Sequence, residues 1–188
     1  MTANTRQLLL ESAAFLLRSK GFAAFSYGDL GKIVGIRKAS IHHYFPKKED
    51  LGMEVIASHI EKTTLELSHI EQENESAFSK LEAFAELFSK AVQDNMLPLC
   101  GALAAEMAAL PESMQEQTQR YFTIQLEWLE KVIALGESTG ELASHGTSEQ
   151  KAIELLSLFE GGSLISWVKR DETRITPEAI KKVVGIQY

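Results

Sequence analysis

A chain of 188 residues with a single cysteine has no internal disulfide framework, and its 45% hydrophobic content suffices for a compact domain with a smaller one attached. The net charge of −7 argues by itself against nucleic-acid binding, but this charge is unevenly distributed. Residues 1–52 hold eight Lys and Arg against four Asp and Glu, a net charge of +4, while the remainder holds a net −11. A basic head on an acidic body is typical of a DNA-binding module joined to a second function.

The first 35 residues predict two helices joined by a short connection. The first helix is predicted over residues 4–21. Ser26 begins the second helix, and Asp29 three residues later completes a capping box. Gly35 ends it, because a left-handed conformation is easiest for glycine. Three apolar residues at helical spacing are expected to bury one face of this helix: Leu30, Ile33 and Val34.

A third helix is predicted from Lys38 to Phe45, and it has an unusual division of faces. Ile41 and Phe45 lie four residues apart and are expected to point inward. The other faces carry small, cationic or hydrogen-bonding side chains: Lys38, Ala39, Ser40, His42, His43 and Tyr44. A thin apolar stripe under a broad donor-rich surface favours insertion into a DNA major groove.

The stretch from Lys38 to Leu51, KASIHHYFPKKEDL, resembles the recognition-helix signature of the TetR family of bacterial repressors. The resemblance extends upstream to Gly21-Phe22 and to Asp29-Leu30, and covers about the first quarter of the chain. It departs from the family pattern at Gly31, where Ala is usual, and at His42, where Tyr is frequent.

The resemblance implies which residues contact DNA. Lys38, Ala39 and His42 are expected to contact base edges, and Arg37 either bases or phosphates. The expected phosphate contacts come from five residues of the family motif: Tyr27, Ser40, His43, Tyr44 and Lys48. Lys48 also stands at the start of a helix, where backbone N–H groups favour phosphate.

The remaining chain reads as further helices over residues 49–70, 77–95, 98–110, 111–136, 147–169 and 176–188, without a strand candidate. The expected fold is therefore all-α with about nine helices. We predict a helix-turn-helix DNA-binding domain at residues 1–48 and a helical ligand-binding and dimerisation domain at residues 49–188. Without an apolar run of membrane-spanning length or a signal peptide, we expect a cytoplasmic protein that does not bind membranes.

The family resemblance implies a small-molecule inducer pocket among the fifth to eighth helices. Its candidate walls are mostly apolar and aromatic: Phe84, Phe88, Cys100, Leu103, Met107, Tyr121, Gln125, Trp128, Ser163 and Trp167. Most of these aromatic side chains are expected to belong to the core. Glu106 is either a polar group of this pocket or a hydrogen-bonded structural carboxylate.

The resemblance also implies a homodimer that binds a palindromic double-stranded operator. Gly161 and Gly162 lie inside the predicted eighth helix, where each costs about 1 kcal/mol relative to Ala. A close helix crossing would offset this cost, either at the dimer interface or against the core of the same subunit.

Cys100 has two interpretations. It stands at the start of a predicted helix whose dipole favours a thiolate, and its surroundings resemble a branch of the family that includes sensors of electrophiles or oxidants. The alternative is a small buried apolar residue, which is the commoner role of a lone Cys.

The sequence favours a ligand-responsive repressor, and the alternative is a helical carrier or adaptor that binds DNA weakly. No nucleophile with a matching base, phosphate loop or acid–base pair is recognisable, so we expect neither an enzyme nor a cofactor. A metal site at His42 and His43 is not expected, because adjacent helical residues point about 100° apart.

Overall fold

The computed structural model describes residues 2–93, 96–170 and 175–186, and in these residues it contains helices and no strand. The helices are α1 (Thr2–Lys20), α2 (Tyr27–Val34), α3 (Lys38–Tyr44), α4 (Lys48–Glu73), α5 (Ala77–Gln93), α6 (Leu99–Ala104), α7 (Glu112–Ser138), α8 (Ser148–Lys169) and α9 (Pro177–Val184). A short 3-10 helix covers Met107–Ala109. The prediction of an all-α fold is confirmed. None of the described helices is both long and apolar enough to cross a membrane.

The chain forms two compact units. The first unit comprises Met1–Lys62 with Leu99–Tyr121, and the second comprises Thr63–Pro98 with Phe122–Tyr188, as far as these ranges are described. The first unit therefore includes α6 as well as the predicted DNA-binding domain. The predicted boundary after residue 48 remains a prediction about function.

The core of the first unit joins α1 to α2, α6 and the start of α4. Helix α1 packs against α2 and against α6, and α2 packs against α3. Five aliphatic side chains at the centre have no exposed surface: Leu9, Leu17, Leu30, Ile41 and Leu51. Burial of each contributes roughly 1.5–3 kcal/mol, so this core holds the recognition helix on a fixed support.

The core of the second unit is aromatic. Helix α5 packs against α8 and α9. The Phe84 ring stacks on Trp128, with 5.3 Å between the centroids, and contacts Phe159 at 5.6 Å. The Glu141 carboxylate accepts hydrogen bonds from the backbone N–H groups of Ala77 and Phe78, both at 2.8 Å, and so caps the start of α5.

Two expectations about local structure were wrong. The apolar stretch predicted as one helix over residues 98–110 contains α6 only as far as Ala104, followed by a turn and the 3-10 helix. Ile33 is 50% exposed and not buried, because the inward face of the short α2 is filled by Tyr27, Leu30 and Gly31.

Candidate nucleic-acid interface and candidate ligand site

The turn between α2 and α3 depends on two glycines. Ser26 and Asp29 form the predicted capping box at the start of α2, and Gly35 ends the helix with φ 76°. At Gly31 an added Cβ would lie 2.7 Å from the Ile36 carbonyl oxygen, closer than a methyl group tolerates. The departure from Ala at this position therefore lets the turn approach α2 closely.

The recognition helix α3 shows the predicted division of faces. Ile41 and Phe45 are buried. The residues assigned to DNA on this helix are exposed, apart from the half-buried Tyr44: Lys38, Ala39, Ser40, His42 and His43. Arg37, which precedes the helix, is also exposed. The helix therefore presents one continuous polar surface on a buried apolar anchor.

His42 is oriented by the turn that follows the helix. Its Nδ1 lies 3.2 Å from the Pro46 carbonyl oxygen, which can only accept, so the geometry assigns the proton to Nδ1. Its ring also meets the ring of Tyr27 edge-on, with 4.8 Å between the centroids. In the Nδ1–H tautomer, Nε2 is a hydrogen-bond acceptor, which suits a base amino group.

Tyr27 is buried in the structure, although the sequence assigned it to a phosphate. Its hydroxyl donates a hydrogen bond of 2.9 Å to the Phe45 carbonyl oxygen. Burial, with a smaller contribution from Asp50, raises the pKa of Tyr27 to about 12. In this conformation the hydroxyl ties α2 to the end of α3, so Tyr27 positions the recognition helix.

Lys48 is likewise engaged within the first unit. Its Nζ donates hydrogen bonds to the carbonyl oxygens of Phe22 at 2.5 Å and Phe25 at 2.8 Å. The same ammonium lies over both phenyl rings, 4.4 Å and 4.7 Å from their centroids. Burial lowers the pKa of Lys48, and nearby Glu106 opposes this shift. The side chain therefore holds the connection between α1 and α2 in place.

Glu106 has the structural role that the sequence left as one of two alternatives. Its Oε2 accepts a hydrogen bond of 3.2 Å from the backbone N–H of Ala23. Gly21, with φ 80°, leaves the space that this carboxylate occupies, since a Cβ there would overlap it. Glu106 and Lys48 thus secure the same short connection from two sides.

Sequence reasoning missed the role of Arg6. Its guanidinium forms an ion pair with Glu54 on α4 and lies 5.2 Å from the centroid of the Phe45 ring. From the sequence, Arg6 was interpreted only as one of the positive charges of residues 1–52. The contact shows that one of these charges steadies the end of α3.

The candidate pocket residues are divided between the two units. Cys100, Leu103, Met107 and Tyr121 belong to the first unit. Cys100 and Leu103 are buried in α6, and Tyr121 stacks on His59 at 5.1 Å. Burial lowers the pKa of His59 to about 4, with smaller contributions from Arg18 and Lys62, so its ring is neutral.

The other candidates belong to the second unit: Phe84, Phe88, Gln125, Trp128, Ser163 and Trp167. The rings of Phe84, Phe88 and Trp128 are buried in the aromatic core. The Ser163 hydroxyl donates a hydrogen bond of 2.9 Å to the Phe159 carbonyl oxygen, whereas Trp167 is 41% exposed. The pocket itself remains a prediction.

In the described part of the second unit, three buried side-chain atoms have no hydrogen-bond partner: Gln125 Nε2, Trp128 Nε1 and Glu160 Oε1. Burial raises the pKa of Glu160 to about 7. Sequence reasoning missed Glu160. A signal was present, because Leu156, Glu160 and Ser163 are spaced along one side of α8, and Leu156 and Ser163 are buried.

The outer face of α8 is apolar. It carries four large side chains that are 42–70% exposed: Ile153, Leu164, Ile165 and Val168. A Cβ added at Gly161 would meet nothing within 4 Å, whereas one at Gly162 would lie 2.8 Å from the Ile175 side chain of the same subunit. The two glycines therefore differ, since Gly162 has a packing reason within the subunit and Gly161 faces open space.

A family model described as bacterial regulatory proteins of the tetR family matches residues 9–55. The chain is 24% identical over 171 residues to the transcriptional repressor NemR of Escherichia coli K12, spanning 89% of this chain and 86% of NemR. A solved TetR transcriptional regulator from Legionella pneumophila is 31% identical, with a TM-score of 0.82 and 96% of each chain covered. A solved TetR-family regulator from Agrobacterium tumefaciens is 24% identical, with a TM-score of 0.87. The match covers 98% of this chain and 95% of the Agrobacterium chain.

Proposed function

The chain belongs to the TetR family of bacterial transcriptional regulators, which are not enzymes, and we propose that it is a repressor acting as a dimer on a palindromic operator in the cytoplasm. Binding of a small molecule to the C-terminal part of the chain would release the repressor from its operator. The observation that carries the proposal is the exposed polar face of α3, which stands on the buried Ile41 and Phe45.

The polar face of α3 supports direct readout of bases. Lys38, Ala39 and His42 contact base edges, while Arg37 reaches either bases or phosphates. Ser40, His43 and Tyr44 contact phosphates and fix the register on the duplex. Tyr27 and Lys48 act mainly by positioning, because their polar groups already bind backbone carbonyl oxygens.

The apolar outer face of α8 supports a two-fold dimer. One short recognition helix makes few base contacts, and a symmetric pair doubles them on a palindrome. An exposed stripe of large apolar side chains in a single helix is typical of a surface that another chain covers. Gly161 lies on this stripe and would let the partner backbone approach closely.

Release would follow if the ligand binds better to a conformation in which the two recognition helices are spaced wrongly for successive major grooves. Helix α4 is the expected lever, because it begins directly after the recognition helix and continues into the second unit. The alternative function is a carrier or adaptor with weak DNA binding. Such a protein would not need the exposed polar face of α3.

Selection of an operator from random DNA duplexes tests the repressor proposal. We expect enrichment of a palindrome and salt-dependent binding. His42→Ala should relax the preference at one base pair of each half-site by about 1–3 kcal/mol. His69→Ala is the matched control, since His69 is an exposed histidine on α4 outside the head. Binding without any sequence preference would favour the carrier or adaptor.

Sedimentation of two matched variants tests the dimer. Leu164→Glu places a charge on the outer face of α8 and should yield a monomer. Leu65→Glu places the same charge on an exposed leucine of α4 and should leave the dimer intact. A dimeric Leu164→Glu protein would place the interface elsewhere. Gly162→Trp is less informative, because Ile175 of the same subunit occupies the space it needs.

A further inference from the structure

Two N–H donors on α7 are buried in the second unit without an acceptor. Gln125 is 1% exposed and Trp128 is 8% exposed, and neither Gln125 Nε2 nor Trp128 Nε1 has a hydrogen-bond partner among the residues that the structure describes. Buried N–H groups in folded proteins are nearly always paired, because an unpaired one loses its bond to water without replacement. Two such donors close together in sequence therefore point to an acceptor that the described part of the chain does not supply.

The spacing of Gln125 and Trp128 places both residues on one face of α7. Residues three apart lie on the same face of a helix, so both side chains project from neighbouring turns. The Trp128 ring is fixed by its stacking on Phe84, with 5.3 Å between the centroids. Phe88 and Phe159 extend this aromatic surface, at 5.6 Å and 5.6 Å from Phe84. The Trp128 donor thus belongs to a group of rings that favours a flat apolar molecule, and Gln125 lies on the same face of its helix.

An anionic ligand is unfavourable at this place. Gln125 and Trp128 offer N–H groups but no positive charge. A carboxylate ligand would therefore bring an uncompensated negative charge into a region of low dielectric, which costs more than burying a neutral carbonyl group.

We infer that Gln125 and Trp128 bind the carbonyl oxygen of a neutral, flat aromatic ketone, amide or similar molecule, which rests against the rings of the second-unit core. The inference rests on the proposed function, because it names the chemical class of the inducer. The carbonyl oxygen of the ligand accepts hydrogen bonds from the two N–H groups, and the aromatic rings of the core contact the apolar part of the ligand.

Three naphthalenes of similar shape test the inference by calorimetric titration. 2-Acetylnaphthalene carries a neutral carbonyl, 2-ethylnaphthalene has no oxygen, and 2-naphthoate carries an anionic carboxylate. We expect the ketone to bind at least about tenfold more tightly than the hydrocarbon, given two hydrogen bonds of ordinary strength. The ketone should also bind more tightly than the naphthoate. Tighter binding of the naphthoate would overturn the choice of a neutral ligand.

Variants and a spectroscopic signal locate the contact. Gln125→Leu and Trp128→Phe should each reduce the ketone preference about fivefold. Trp167→Phe removes the other tryptophan and so assigns the indole N–H signals in a ¹H–¹⁵N spectrum. Glu130→Gln, at an exposed position of α7, should keep the preference. The ketone, and not the hydrocarbon, should move the Trp128 indole proton downfield.

Any of three results would overturn the inference: equal binding of the ketone and the hydrocarbon, no binding of the ketone, or an unchanged preference for the ketone in both α7 variants. An indole proton that does not respond to the ketone would assign the donor to an ordered water and have the same consequence. Operator binding is measured on the same samples without ligand. A protein that binds its operator but fails these tests loses only the inference, whereas loss of operator binding in the unaltered protein refutes the proposed function.

Discussion

The helix-turn-helix segment and the core of the second unit differ in whether their buried polar atoms are hydrogen-bonded. In the helix-turn-helix, the buried Tyr27 hydroxyl and the Lys48 ammonium both bind carbonyl oxygens, and the remaining polar groups of α3 point outward. In the second-unit core, Gln125 and Trp128 bury N–H groups without a partner.

This contrast distinguishes two kinds of binding surface. The first is completed before its ligand arrives, since every buried polar group that supports α3 in the described segment is already bonded, and recognition is left to exposed side chains. The second, which is the proposed ligand site, keeps its polar groups inside, where a molecule entering the core would satisfy them. Variants that break the aromatic core or the supports of α3 test this difference.

The largest effect is expected from the aromatic core. Phe84→Ala removes a fully buried ring that contacts Phe88, Trp128 and Phe159, and should lower the free energy of unfolding by about 3–5 kcal/mol. Urea unfolding measures the change. Leu65→Ala, at an exposed position of the same unit, should change it by less than about 0.5 kcal/mol. A small effect of Phe84→Ala would mean that this core is loosely packed.

The next effect depends on pH. The pKa of Glu160 is raised from 4.5 to about 7 in the folded protein, so the folded chain binds this proton more tightly than the unfolded chain. Stability contributed by the proton is present below pH 4.5 and is lost as the pH rises through about 7. The total loss from this group is roughly 3–4 kcal/mol, reached above pH 7.

Glu160→Gln should remove this pH dependence while preserving the shape of the side chain. Unfolding in urea at pH 5 and pH 8 measures it, and the variant should gain stability relative to the unaltered protein mainly at pH 8. Glu154→Gln, at an exposed position of α8, is the matched control. The same pH dependence in both proteins would show that solvent or a partner chain already compensates the Glu160 charge.

The parts of the fold that the sequence predicts depend on neighbours along the chain. The capping box of Ser26 and Asp29 and the left-handed Gly35 follow from chemistry within a few residues, and the structure confirms them. The inward direction of Ile41 and Phe45 follows from helical spacing alone. For this reason the sequence predicts the exposed face of α3 residue by residue.

The remaining contacts join residues that are distant in sequence. Lys48 binds a carbonyl oxygen 26 residues earlier, and Glu106 binds a backbone N–H 83 residues earlier. A sequence pattern does not contain these distances, so Lys48 reads as a phosphate ligand from its motif. The unpaired state of Gln125 is equally invisible, because it depends on which groups the tertiary fold fails to bring near.

A smaller effect is expected at the support of α3. Lys48→Met keeps an apolar stem over the Phe22 and Phe25 rings but removes two hydrogen bonds from a charged donor, which should lower stability by about 1.5–3 kcal/mol. Operator affinity should fall because the head loosens, while the dependence of binding on salt stays unchanged. Titrations at several salt concentrations and urea unfolding measure both quantities.

Lys47→Met is the matched control, because Lys47 is exposed beside Lys48 and should leave the stability unchanged. A Lys48→Met protein of normal stability whose salt slope falls by about one would show instead a direct phosphate contact. The two outcomes thus decide between the interpretation from the sequence motif and the interpretation from the structure.

The smallest effect is expected at Cys100. Its side chain is 0% exposed within α6, so a maleimide should label the native protein far more slowly than the protein unfolded in urea. A buried thiol behaves as a small apolar residue, and Cys100→Ala should therefore retain operator binding and lose no more than about 1 kcal/mol of stability. Mass spectrometry follows the labelling, and operator affinity is measured on the same samples. Rapid labelling of the native protein that also releases DNA would restore the sensor interpretation, because it would require α6 to open and expose the thiol in the folded state.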